Sequence, residues 1–292
     1  MLVNLAKILT PAVERSYSVA CCNVFGWEDA RGVVAAAEDL GAPVILAVNL
    51  DFRRFIPLQV IAVMLRRLAE DARIPVCVHL DHCYEIDEVL RAVDAGFTSV
   101  MFDGSQLPLQ DNIAGTSTVA RYAHAAGCSV EAEIGSVPYA EGRAHIKSEL
   151  TTPSDARRLA EESSADAVAI SIGNVHRLTR PGAVIDFGRL EEIAAVVRTP
   201  LVIHGTSGIF EEDIARLVRT RVAKFNIGTV LRQAFGASLR ETLARHPERF
   251  DRLEIMGDVM SGVAVAAARM IRLLGWDERT SLADGESVAP PH

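Results

Sequence analysis

Short apolar runs recur along the chain at regular intervals: "SVACCN" near residue 18, "PVILAVN" from 43, "PVCVHLD" from 75, "SVMFDGS" from 99, "SVEAEIG" from 129, "AVAISIG" from 167, "PLVIHGT" from 200 and "VAKFNIG" from 222. Their hydrophobicity is continuous rather than alternating. A strand buried on both faces shows that pattern, and such strands belong to parallel sheets covered by helices. Between the runs lie amphipathic stretches such as "DARGVVAAAEDLG", "LQVIAVMLRRLAEDA", "EIDEVLRAVDAG", "PSDARRLAEESS" and "GRLEEIAAVV", each long enough for the crossover helix of a βα unit. Eight such units in about 230 residues predict an α/β fold of the closed (β/α)8 TIM-barrel type. An open doubly wound sheet usually carries a glycine-rich dinucleotide turn after its first strand, and no GxGxxG follows "SVACCN". After the eighth unit, "MGDVMSGVAVAAARMIRLLG" (256–275) predicts an extra C-terminal helical segment that packs on the barrel or on another subunit. One domain over 1–275 is therefore expected, followed by a polar tail, 276–292, whose Pro, Gly and charged residues predict partial disorder.

Composition narrows the class. The 292 residues are 49% hydrophobic and 23% charged, enough apolar material for one large enzyme-sized core. The net charge of −8 argues against a nucleic-acid or anionic-membrane surface, because those partners reward an excess of Lys and Arg. The 5 cysteines form no CxxC pair and are odd in number, so neither a disulfide framework nor a cysteine zinc site is expected. No continuous apolar export segment and no membrane-length run is present, and a cytoplasmic location is expected.

The runs end on groups that carry chemistry: Asn23, Asn49, Asp81 with His82, Asp103 with Ser105, Glu131 with Glu133, His204 and Asn226. Barrel enzymes build their sites at the C-terminal rim of the strands. Three histidines, His82, His176 and His204, fall at or just beyond strands three, six and seven. Three imidazoles from separate strands leave an open coordination position, as catalytic zinc requires. Asp81 adjoins His82 and suits either proton transfer or orientation of a histidine ligand, while His79 suits a supporting role. "HGTSG" (204–208) and "NIGT" (226–229) follow the last two strands and combine backbone N–H groups at Gly205 and Gly228 with hydroxyls of Thr206, Ser207 and Thr229. Together they predict a phosphate cradle in the usual barrel location.

In this order and spacing, "VHLDHC", "MFDGS", "VEAEIG", "SIGNVH", "VIHGTSG" and "KFNIGT" resemble the class II, zinc-dependent ketose-bisphosphate aldolases, over roughly residues 5 to 275. The resemblance implies Zn2+ held by His82, His176 and His204 with Glu133 as a nearby carboxylate. It also implies Asp81 as acid/base at the C4 hydroxyl, Asn226 as stabiliser of the enediolate, and Glu141 on a loop that shuttles the C3 proton. Gly173, Gly205, Ser207 and Thr229 fall where the family binds phosphate, and the resemblance admits a monovalent cation beside it. The substrate it implies is a phosphorylated ketose of the fructose- or tagatose-1,6-bisphosphate type, cleaved to dihydroxyacetone phosphate and an aldehyde by a homodimer or homotetramer.

Three departures bear on what is bound. Pro138 and Tyr139 replace the glycines of the family's mobile loop, Arg177 replaces the glycine after the second metal histidine, and Gly228 replaces an acidic or polar residue in the NxxT turn. Arg177 is expected to bind an anionic group of the substrate. The strand-end lysine, Lys224, shows no sign of a lowered pKa and is expected to be structural or a phosphate neighbour. A metal-dependent barrel hydrolase and a non-catalytic barrel subunit are the competing readings. The retained Asn226 and NxxT turn favour the aldolase, since a hydrolase needs no enediolate stabiliser.

Overall fold

A computed structural model of the chain describes residues 1–140 and 148–277. Glu141 and most of the polar tail lie outside the described residues. The elements in chain order are α1 (Leu5–Arg15), β1 (Val19–Asn23), α2 (Trp27–Leu40), β2 (Val44–Val48), α3 (Leu50–Phe55), α4 (Leu58–Asp71), β3 (Val76–Cys83) and α5 (Ile86–Asp94). There follow β4 (Ser99–Phe102), α6 (Leu109–Ala125), β5 (Ser129–Ile134), α7 (Pro153–Ser163), β6 (Ala167–Ile170), α8 (Phe187–Val196), β7 (Leu201–Ile203), α9 (Glu211–Val218), β8 (Val222–Ile227), α10 (Thr229–Arg245) and α11 (Arg252–Leu273).

All eight apolar runs are strands, and they close into one barrel in the order β1 to β8 with every neighbouring pair parallel. The closing pair sets Cys21 opposite Asn226 and so brings the two ends of the barrel sequence together at the rim. Every residue of every strand is buried, as continuous hydrophobicity requires of a sheet covered by helices on one side and filled by side chains on the other. Helices start where local chemistry supplies a cap: the side chains of Asn4, Asn49, Thr152, Asp186 and Asp251 each accept a backbone N–H of the first turn. The expected C-terminal helix is α11, which lies against α2 and α10. Just beyond α11, Trp276 is buried, its indole N–H donates to Leu40 O, and its ring meets Tyr17 edge-on at 5.0 Å. Among the described residues no helix is long and apolar enough to cross a membrane.

Candidate active site

Side chains two apart on a strand point the same way, and three strands place paired polar residues in the barrel interior. The deeper layer holds His79, Glu131 and Lys224, all fully buried. Lys224 Nζ lies 2.8 Å from Glu131 Oε2, and His79 Nε2 is 3.7 Å from the same oxygen while its Nδ1 meets Ser99 Oγ at 2.8 Å. The layer above holds Asp81, Glu133 and Asn226, two residues further along the same strands. Burial opposes the Lys224 charge, but the carboxylates of Glu131 and Asp81 outweigh it and raise its pKa. Lys224 is thus a charged strut beneath the site and does not reach the phosphate cradle.

The strut orients two groups above it. Lys224 Nζ donates to Asn226 Oδ1 at 2.6 Å, which turns Asn226 Nδ2 toward Asp81 Oδ1 at 2.8 Å. Glu131 Oε1 accepts from His204 Nε2 at 3.0 Å, and Asp103 Oδ2 accepts from His82 Nδ1 at 2.7 Å. His82 Nε2 and His204 Nδ1 then face each other at 2.8 Å, where a shared proton on His82 joins them in the absence of another cation. Two facing lone pairs at that separation repel unless a cation lies between them, and a carboxylate on the outer nitrogen is the usual way of aiming a metal-binding histidine.

His176 completes the group: one ring nitrogen from each of His82, His176 and His204 lies within 4.8 Å of the others. Its ring stacks on Tyr139 at 4.6 Å, and backbone bonds His176 N–H to Pro138 O (2.8 Å) and Ala140 N–H to His176 O (3.0 Å) tie its loop to the segment after β5. Pro138, with its fixed φ, is thus coupled directly to the backbone of His176. His82, Asp103 and Glu133 form a second group of potential ligands. Glu133 Oε2 is buried with no hydrogen-bond partner, and burial together with the Asp103 charge pushes the Glu133 pKa up to about 8. An orphaned carboxylate oxygen beside three convergent imidazoles fits a metal ion.

Asp81 is the most constrained acid of the rim. Its Oδ1 accepts from Asn226 and its Oδ2 accepts from Asn23 Nδ2 at 3.0 Å. Burial alone would raise its pKa, but His82, His204 and Lys224 hold it well below the ordinary carboxylate range. His82 itself sits at φ 43, a left-handed conformation rare for a residue with a Cβ. Arg53, which the sequence does not single out, holds it there: its guanidinium donates to Val48 O (3.2 Å), Asp81 O (3.0 Å) and His82 O (3.2 Å) and pairs with Glu88 at 2.9 Å. Asn23, which the sequence marks as a strand-end polar group without giving it a role, is brought by the barrel onto Asp81.

One cleft is lined by Asp81, His82, His176, His204, Gly205, Thr206, Ser207, Asn226, Gly228 and Thr229, joined by Asn23, Asn49, Asp51, Arg177 and Arg232. The expected phosphate turns thus share a cavity with the histidines. Gly205 has φ 73, and a Cβ there would stand 2.3 Å from Val175 O, so the turn admits only glycine. Thr206 lines the cleft as well, and its hydroxyl donates to Asn226 O at 2.9 Å and braces β8 against β7. Gly173 has φ 101, and a Cβ there would collide with the Val184 carbonyl, so this turn too admits only glycine. Arg177 lines the cleft as expected but is paired, with Nη2 2.6 Å from Asp51 Oδ2.

Comparison with known proteins agrees with this geometry. The family model described as "Fructose-bisphosphate aldolase class-II" matches residues 3–279. A fructose-bisphosphate aldolase of Thermus caldophilus is 35% identical over 94% of this chain and 98% of its own length, and one of Geobacillus stearothermophilus is 34% identical over 94% and 97%. Among solved structures, the YdjI aldolase of Escherichia coli K12 superposes with a TM-score of 0.84 at 29% identity, covering 96% of this chain and all of that one.

Proposed function

The chain belongs to the class II fructose-bisphosphate aldolase family and is an aldolase, a carbon–carbon lyase; from that premise we propose that it cleaves a phosphorylated ketose reversibly to dihydroxyacetone phosphate and an aldehyde. Membership removes the hydrolase and non-catalytic readings. Zn2+ would be held by His82, His176 and His204, with Glu133 beside them, and would supply a Lewis acid for the ketose carbonyl in place of a Schiff-base lysine.

The chain's own groups do the rest. Asp81 takes the proton of the C4 hydroxyl as the C3–C4 bond breaks and returns it in condensation. Its low pKa keeps it ionised and ready to accept, and the amides of Asn23 and Asn226 fix the direction from which it does so. Asn226, held by Lys224, can turn its N–H toward the enediolate oxygen that develops once Asp81 is protonated and accepts more weakly. Glu141 carries the proton to and from C3. The phosphate rests on backbone N–H groups at Gly205 and Gly228 and on the Ser207 and Thr229 hydroxyls, with room for a monovalent cation. The enzyme works in the cytoplasm as a homodimer or homotetramer.

The observation that carries this reading is the pairing of Asp81 with Asn226 at 2.8 Å directly beside three convergent histidines, since only an enediolate chemistry uses all five. The test is metal content together with cleavage. Chelation should abolish activity and Zn2+ restore it, and His82→Ala, His176→Ala and His204→Ala should each lose tightly bound zinc by elemental analysis. Full occupancy in two of the three variants would remove the ligand assignment.

A further inference from the structure

We propose that the aldehyde this enzyme releases and accepts is an uncharged polyhydroxy aldehyde, so that its ketose carries one phosphate, on the dihydroxyacetone half. The proposal rests on the aldolase reading above. The donor phosphate belongs to the turns after β7 and β8 and the C4 hydroxyl to Asp81 on β3. The aldehyde half therefore extends from Asp81 toward the ends of β1 and β2, where Asn23, Phe25, Asn49, Leu50 and Asp51 line the cleft.

Three features there suit hydroxyls and oppose a second phosphate. First, Asn23 donates through Nδ2 to Asp81, which directs its Oδ1 elsewhere, and that oxygen is buried with no hydrogen-bond partner. A buried acceptor lacking a donor is satisfied by a sugar O–H, whereas a phosphate dianion brings only further acceptors.

Second, one of the two arginines that line this end is already paired with a carboxylate. Arg177 is fastened to Asp51 at 2.6 Å and lies 5.6 Å from the Tyr139 ring. It holds a left-handed φ of 61 that a glycine would adopt without strain, so the contacts of its side chain override a backbone preference. A strained position retained in a cleft points to a role, and its geometry here is to set the Asp51 carboxylate at the mouth. Third, past Asn23 and Phe25 a side cavity of about 280 Å3 opens between Phe25, Leu231 and Phe235, with Glu28 and Asp29 in its wall. Glu28 pairs there with Arg252 at 3.1 Å, and Asp29 accepts the Phe25 N–H at 2.9 Å. Arg232 lines both that cavity and the cleft, with its guanidinium carbon 5.4 Å from the centre of the Phe25 ring.

The experiment holds the donor constant and changes the aldehyde. In condensation, a new bond forms between the hydroxymethylene carbon of dihydroxyacetone phosphate and the aldehyde carbon; that hydroxymethylene carbon loses a proton and the aldehyde oxygen gains one. Zinc-loaded protein is offered dihydroxyacetone phosphate with glyceraldehyde, erythrose or threose of either hand, and with the terminal phosphate of each. Exchange of the donor's hydroxymethylene proton with D2O is followed separately by NMR. The expected result is donor exchange together with kcat/KM at least ten-fold higher for the uncharged aldehydes, and a gap that narrows at least five-fold in Asp51→Asn, which removes a carboxylate and frees Arg177. Donor exchange with a ratio near one, a preference for phosphorylated aldehydes, a gap unchanged by Asp51→Asn, or no condensation with any uncharged aldehyde overturns the proposal alone. Absence of donor exchange overturns the donor assignment, and the proposal with it.

Discussion

Asp81 accepts an amide N–H on each oxygen, and neither bond depends on the metal ligands. Asp81→Ala should therefore keep its zinc while cleavage falls by about 10²-fold or more, the usual scale for a positioned acid/base. Retained turnover with full metal content would return Asp81 to orienting His82. Beneath it, Lys224 and Glu131 are each fully buried and each is the other's counter-charge. Lys224→Met should lower unfolding free energy by about 3–5 kcal/mol, the cost of leaving one member of a buried ion pair alone. Adding Glu131→Gln should recover part of that loss, because it removes the stranded charge, while activity stays low with Asn226 and His204 released. Urea titrations of the single and double variants check the coupling; simple additivity would mean that the two side chains do not interact. Arg177 and Asp51, 126 residues apart, illustrate what single positions cannot disclose: a departure from the family's glycine is visible in the sequence, but its partner is chosen by the barrel.

The turns after the strands differ in how much their glycines are constrained. Gly205 needs its positive φ, and any Cβ would collide with Val175 O, whereas Gly228 has φ −126 and its nearest neighbour, Asn23 Cβ, would be 3.6 Å away. Gly205→Ala should cost about 1–3 kcal/mol of stability and disturb the adjoining His204, while Gly228→Ala should fold with an unchanged Tm. Thermal melts and zinc content of the two variants decide this, and equal behaviour would place the steric demand elsewhere. The strands were legible in the sequence because burial on both faces leaves short continuous apolar runs, rich in Val and Ile and ending on polar groups, which the apolar runs inside α2 and α11 do not do. The rim was legible for a related reason, since polar residues at the ends of such runs have nowhere to point but the mouth of a barrel. The inner layer was not. His79, Glu131 and Lys224 sit two residues before Asp81, Glu133 and Asn226, and a strand pattern shows which side chains share a face without showing that three of them meet in one ion-paired layer. Arg53 was hidden too, because a short helix rich in Arg and Phe reads as a solvated surface turn until its guanidinium is seen under the β3 rim.

Closing the barrel also decides the fate of residues that play no part in the chemistry. Cys21, Cys22, Cys77, Cys83 and Cys128 are all buried and free, which agrees with the absence of any disulfide pattern in their spacing. Burial pushes the Cys22, Cys77 and Cys83 thiols up to about 12 and raises those of Cys21 and Cys128 as well. The thiolate is the reactive form, so a raised pKa means that at pH 8 these groups remain protonated, and the surrounding strands and helices exclude the reagent in addition. Titration with a chromogenic disulfide at pH 8 should therefore find essentially no reactive thiol in the folded protein and 5 equivalents after denaturation, the number of cysteines in the chain. Any slow reaction of the native protein should follow opening of the barrel and accelerate in parallel with destabilising variants such as Lys224→Met. Cys21 sits opposite Asn226 in the β1–β8 pair, and its labelling reports opening of the barrel at the seam that carries the catalytic amide. Rapid modification of Cys21 in the native protein, mapped by peptide mass, would mean that β1 and β8 part more easily than the rest of the barrel, and the rigid placement of Asn226 against Asp81 would have to be abandoned.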